Sequence, residues 1–103
     1  MVDNLVIISY WSERDIETIK KLTLQINNIN SGTYFDALIV CNGQSDRVNY
    51  LLNQLNLSRK FKVVDRENSG FNIGAWDYGW RHLSNYRNFL FLQDDCIIFR
   101  KHW

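Results

Sequence analysis

The feature that most constrains this chain is a regular alternation of short, largely apolar runs with longer stretches of helical spacing. Leu5-Val6-Ile7-Ile8, Ala37-Leu38-Ile39-Val40, Phe61-Lys62-Val63-Val64 and Phe89-Leu90-Phe91-Leu92 are four residues each and rich in β-branched and aromatic side chains. The first, second and fourth runs, without polar alternation, read as strands covered on both faces, and Phe61 to Val64 reads as a third strand. Between them lie stretches of helical period: Ile16, Ile19, Leu22, Ile26 and Ile29; then Val48, Leu51, Leu52 and Leu55; then Ile73, Trp76, Trp80 and Leu83. The order β-α-β-α-β-α-β predicts the α/β class, a three-layer α/β/α sandwich with a mainly parallel sheet. Phe89 to Leu92, apolar on both faces, is expected to be a central strand.

Several boundaries carry their own signals. Ser12, three residues before Asp15, reads as an N-cap of the first helix, and Ser31-Gly32 reads as its end. Ser45 or Asp46 caps the second. With 103 residues there is room for one domain, and no linker, repeat or low-complexity segment divides it. A net charge of +1 gives no electrostatic reason to expect nucleic acid as a partner. Arg59, Lys60, Lys62, Arg100 and Lys101 read as solvated surface. No run approaches the ~20 apolar residues of a membrane span, and no signal peptide is expected. Cys41 and Cys96 are expected to be buried thiols in a reducing compartment, and with His82 and His102 they lack the paired spacing of a zinc site. The expected location is cytoplasmic, at most at the inner membrane surface.

In open parallel sheets ligands bind beyond the carboxyl ends of the strands. Four clusters fall there. Asp94-Asp95 follows the fourth run; two adjacent carboxylates repel, and a hard divalent cation, Mg²⁺ or Mn²⁺, would neutralise them, as would a capping role for one and solvation of the other. Asn68 to Trp76 carries Gly70 and Gly74, with Gly79 further on, each costing ~1 kcal/mol inside a helix; close approach of a ligand or close packing on the sheet would explain them. Cys41-Asn42-Gly43-Gln44-Ser45-Asp46 is a turn in which Asn42 or Asp46 either reads a base edge or caps the helix. Ser9-Tyr10-Trp11 offers aromatics that either stack on a nucleobase or cover the sheet end.

In this order, the aromatic strand end, V-x-N-G-x-S-D, N-S-G-F-N-I-G-A-W and F-L-Q-D-D-C together resemble family 2-like glycosyltransferases of the GT-A fold over nearly the whole chain. The segment ENSGFNIGAWDYGW is also similar to bacterial polysaccharide-synthesis proteins related to rhamnan synthesis. The resemblance implies the N-terminal, Rossmann-like nucleotide-binding half of a GT-A domain. It implies a nucleotide-diphosphate sugar as donor, a glycan or other acceptor, and Mn²⁺ or Mg²⁺ as cofactor. Carried over by position, Cys41 and Asn42 fall where the family's base-reading acids stand, and Asp46 on the later acid. Asn68 and Gly70 fall beside the nucleotide-sugar, with Gly74 on the same segment. Gln93 replaces the first acid of the metal motif, Asp94 lies near the ribose or sugar hydroxyls, and Asp95 matches the metal ligand. The nucleotide-sugar set implied is thus Ser9, Tyr10, Trp11, Asn42, Asp46, Asn68, Gly70, Gly74 and Asp94, with Asp95 and Asp94 for the metal. The family's catalytic base is expected beyond Trp103, so this chain alone is expected to bind donor weakly, to be inactive in transfer, and to form a homodimer through an exposed sheet edge. A non-catalytic nucleotide-binding or interaction domain of the same shape is the alternative. A receiver-like domain fits less well, because its paired acids follow the first strand.

Overall fold

The computed structural model describes residues 3–67, 71–83, 85–98 and 101, with the side chains of Phe71, Asn72 and His82 left aside. Among these residues the elements are β1 (Asn4–Trp11), α1 (Ile16–Asn28), β2 (Asp36–Asn42), α2 (Asp46–Gln54), β3 (Phe61–Arg66), α3 (Phe71–His82) and β4 (Asn88–Gln93). The sheet has the order β3-β2-β1-β4 and every pairing is parallel. The architecture is a Rossmann-like α/β/α sandwich.

The two faces follow from the period-2 alternation of a strand. Val6, Ile8 and Tyr10 of β1 and Ala37, Ile39 and Cys41 of β2 face one core, closed by Ile19, Leu22 and Ile26 of α1 and Val48, Leu51 and Leu52 of α2. Leu5 and Ile7 of β1 and Leu38 and Val40 of β2 face the other, closed by Ala75 of α3. Burying each such Ile or Leu side chain contributes about 1.5–3 kcal/mol, so this two-sided central pair β1–β2 holds the molecule together.

The strands outrun their apolar cores. β1 continues through Ser9, Tyr10 and Trp11 because these pair in register with Val40, Cys41 and Asn42. The cap of α1 is Asp15 and not Ser12: its carboxylate accepts from the Glu17 N–H at 3.0 Å. Helix α1 ends at Asn28, before the expected Ser31-Gly32 stop. Ser45 does occupy the cap position of α2, without a side-chain cap bond.

Two expectations about packing are corrected. The apolar stripe read for α3 is rotated: Ile73 is 76% and Trp80 49% exposed, while Ala75 is buried. The reason is Gly79, where a Cβ would lie 2.9 Å from Ile7 Cδ1 and 3.2 Å from Leu38 Cδ2. The small residues let the helix backbone approach the sheet, and the large ones are left to the flanks. Trp76, half-buried, donates its indole N–H to the Leu92 carbonyl at 3.0 Å and packs against Phe91. Second, β4 is an edge strand of this sheet and not a central one; its only strand neighbour among the described residues is β1. Leu90 and Phe91 are accordingly 40% and 43% exposed. After Asp95 the chain turns onto α1, where the Ile98 N–H donates to Gln25 Oε1 at 2.8 Å. No helix among the described residues is long and apolar enough to cross a membrane.

Candidate functional site

The strand order places a reversal of chain direction at β1. From β1 the chain steps outward to β2 and β3 with helices on one face, then returns by α3 on the other face to β4. The crevice beyond the carboxyl ends of β1 and β4 is therefore the topological switch point, where open α/β sheets bind ligands. It is stitched at its base: the Asp94 N–H donates to the Ser9 carbonyl at 3.1 Å.

Asp94 and Asp95 stand at this crevice, and they differ. Asp94 is 3% exposed. The Thr18 hydroxyl of α1 donates to its Oδ2. Asp95 keeps its side chain about half in solvent (47%). Arg14, on the loop leaving β1, spans both: Nε lies 3.0 Å from Asp94 Oδ2 and Nη2 3.0 Å from Asp95 Oδ2. Burial holds the Asp94 carboxyl above its ordinary range; the Thr18 hydroxyl and the Arg14 charge oppose that shift, and Asp95 adds to it. Arg14 and Thr18 were not singled out in the sequence. The signal that could have found them is a cation and a hydroxyl just after the first strand, opposite two acids, and it becomes readable only once β1 and β4 are known to be neighbours.

A second, polar part of the site lies alongside. Ser12, Glu13, Gln44, Asp46 and Arg47 line an open cleft of about 270 Å³. Arg47 Nη1 donates to the Ser12 carbonyl at 3.3 Å; no carboxylate pairs with Arg47 among the described residues. Gly43 brings the loops together: its N–H donates to the Arg66 carbonyl at 2.8 Å, and the Ser12 N–H donates to the Asn42 carbonyl at 3.1 Å. With φ +115° it holds a conformation that L side chains rarely adopt.

The structure sorts the expected ligand-binding residues. Trp11 (48% exposed), Asp46, Asp94 and Asp95 come together at the carboxyl edge. Ser9 and Tyr10 are both buried within β1. Tyr10 is a core residue whose hydroxyl donates to the Arg14 carbonyl at 2.6 Å. Burial raises its pKa, and Arg47 and Asp94 act on it with opposite sign, so both charges lie within reach of that hydroxyl. Asn42 is 2% exposed, and its Oδ1 accepts from Arg66 Nη1 at 2.8 Å. That bond braces the turn. Gly74 is half-buried in the first turns of α3. Asn68 and Gly70 lie outside the described residues. Cys41 is buried, with its thiol pushed up to about 12 by desolvation. Cys96 is a half-buried free thiol.

One hollow at the opposite end of the sheet, of about 380 Å³, has Asp36, Arg59, Lys60, Lys62 and Tyr86 in its lining. A hollow of about 200 Å³ there is lined mainly by Leu5, Val6, Phe35, Phe89 and Leu90 with small polar residues, and none of its lining side chains is titratable. No family model and no curated protein matches this sequence.

Proposed function

We propose that this chain is the donor-binding part of a glycosyltransferase of the GT-A type. It would take a nucleotide-diphosphate sugar at the crevice between β1 and β4 and serve transfer of the sugar to an acceptor. The observation that carries this reading is Asp94–Asp95 at the carboxyl end of β4, at the switch point of a parallel sheet.

The donor set suits a divalent cation. Carboxylate oxygens are hard ligands of the kind Mg²⁺ and Mn²⁺ prefer, and Asp95 is open to solvent. Among the described residues no third Asp, Glu, His or Cys joins them to complete a protein cage. That fits an ion whose remaining ligands are phosphate oxygens and water. Asp95 would hold the ion, aided by Asp94. When bound, such an ion would stabilise the charge of the departing diphosphate. Asp94, buried and held by Thr18 with the end of β1 behind it, has a fixed orientation and would back Asp95 at the ion. Trp11 offers an exposed ring for stacking, and the cleft with Asp46 and Arg47 extends the polar surface beside it.

The test is calorimetric titration of UDP and of GDP with and without Mn²⁺, on wild type and Asp95→Ala. Tighter binding with Mn²⁺ that is lost in Asp95→Ala is expected; equal affinity in all conditions would overturn the reading. A non-catalytic domain that kept the donor site would pass this test, and a turnover assay with donor hydrolysis separates the two. The exposed edge of β4, with Leu90 and Phe91 beside it, is proposed to pair with β4 of a second copy.

A further inference from the structure

Arg14 already performs on the carboxylate pair the task assigned above to a divalent ion. Its guanidinium presents two different nitrogens to two different acids, each at 3.0 Å, so a single cation bridges Asp94 and Asp95. A positive ion arriving at the same oxygens meets a resident positive charge and is repelled. The guanidinium must therefore move for the pair to take an ion.

The structure allows that movement. Arg14 is anchored by its backbone: its carbonyl accepts from the Tyr10 hydroxyl at 2.6 Å, and its N–H donates to the Trp11 carbonyl at 2.9 Å. Its side chain is 39% exposed. The main chain can stay in place while the side chain turns. Asp94 would not be stranded by its departure, because the Thr18 hydroxyl still donates to it. A planar guanidinium that leaves a carboxylate finds in a diphosphate a second oxyanion of matching, bidentate geometry.

We propose that Arg14 is the resident counter-ion of the Asp94–Asp95 pair and hands that pair to the metal by turning onto the diphosphate of an arriving nucleotide. The proposal rests on the donor-binding reading above and adds its order of events. Metal alone binds poorly because it must displace Arg14. Nucleotide draws Arg14 away, and each ligand therefore strengthens the other.

The test uses Mn²⁺ alone, then UDP or GDP in the presence of Mn²⁺, on wild type, Arg14→Gln and Arg14→Lys. Free Mn²⁺ is read by electron paramagnetic resonance, nucleotide by calorimetry, and folding of each variant by circular dichroism. Arg14→Gln is expected to bind Mn²⁺ without nucleotide roughly tenfold more tightly than wild type, and to lose a similar factor in nucleotide affinity. Arg14→Lys, which keeps the charge without the planar fork, is expected between the two. If wild type binds Mn²⁺ and nucleotide together but Arg14→Gln leaves either affinity unchanged, Arg14 is structural and this inference fails while the donor-binding reading stands. Lysine that matches glutamine on both affinities, the gain for Mn²⁺ and the loss for nucleotide, would equally overturn the counter-ion role. Wild type that binds neither UDP nor GDP overturns both.

Discussion

Gly43 and Ser12 meet so closely that a Cβ on the glycine would lie 2.1 Å from the serine Oγ and 2.9 Å from its Cβ. The loops leaving β1 and β2 are thus packed backbone to side chain, and the candidate site is built on that contact. Gly43→Ala carries two penalties, a positive φ and a clash, and is expected to destabilise the fold by about 2 kcal/mol or more. Ser12→Gly in the same chain removes the clash and leaves the φ strain, so it should recover part of the loss. Denaturant midpoints at unchanged slope measure both. Full recovery would show that the backbone conformation costs nothing.

Gly79 makes the corresponding contact on the other face. A Cβ there would stand 2.9 and 3.0 Å from Ile7 Cδ1 and Cγ2. Ile7 is fully enclosed and has nowhere to retreat. Gly79→Ala gains up to ~1 kcal/mol in helix propensity but overpacks the core by about 1–3 kcal/mol, so net destabilisation is expected. Ile7→Val removes Cδ1 and should be less harmful in the Gly79→Ala background than alone. A double-mutant cycle by thermal or chemical unfolding checks it, and strict additivity would deny the contact.

These two glycines also show where sequence reading stopped. The alternation of apolar runs and helical stretches was enough for the layers and the parallel sheet, because buried strands and amphipathic helices have different periods. The facing of α3 was not, because size is not burial: Trp80 and Ile73 are the larger side chains, yet Ala75 and Gly79 permit the close approach. The place of β4 at the sheet edge differs from the expected central one for a related reason. Phe89, Leu90, Phe91 and Leu92 are apolar on both faces, but composition does not say which strands stand beside them. The acids of the site were legible as an unusual pair after a strand. Their partners Arg14 and Thr18 are 80 and 76 positions away from Asp94 in the chain, and only strand order brings them into contact.

Asp94 is predicted to lower stability while serving the site. Its folded pKa is raised by burial, so its contribution is most favourable while protonated, below the unfolded value of 3.8, and is lost as pH rises through the folded value. Asp94→Asn keeps an acceptor for the Thr18 hydroxyl and removes the buried charge. At neutral pH it should be no less stable than wild type, its relative advantage growing as pH rises from 3.8 through the folded value and levelling off above it. The same variant should lose Mn²⁺-dependent nucleotide binding. Melting temperatures across pH 3 to 7, beside calorimetry, read the two effects (the pH limits are roughly those bracketing a perturbed carboxylate). A less stable Asn variant at neutral pH would mean that the ion pair with Arg14 outweighs desolvation.

Cys41 and Cys96 should differ in reactivity by their burial. The thiolate is the reactive form, and Cys41 is enclosed with its thiol at about 12, whereas Cys96 is partly open. In the native protein one thiol should label quickly and the other only with unfolding. A raised folded pKa also means that stability is lost as pH rises from the ordinary thiol value of 9.0 toward about 12, and Cys41→Ala should flatten that decline. Equal labelling rates for both thiols in folded protein would contradict the placement of Cys41.

The edge of β4 sets the last prediction. On one side β4 is paired along its length with β1, from Asn4–Asn88 to Ser9–Gln93. On the other side no strand pairs with it among the described residues, and Leu90 and Phe91 stay 40% and 43% exposed. Backbone donors and acceptors along an apolar edge favour pairing with another strand. A two-fold axis perpendicular to the sheet would set two β4 strands antiparallel and join the two four-stranded sheets into one, which closes both edges in one step. Phe91 already packs against Trp76 and Phe89, so replacing it would disturb the fold as well as the edge. Leu90→Lys is the cleaner probe: it places a charge on the edge, as natural edge strands do, and should cost the monomer no more than about 1 kcal/mol. Light scattering and sedimentation over a concentration series should show a dimer for this 103-residue chain that Leu90→Lys shifts toward monomer, its dissociation constant raised roughly tenfold or more. A chain that stays monomeric at every concentration, or a dimer indifferent to Leu90→Lys, would show that the edge of β4 is not where copies of this chain meet.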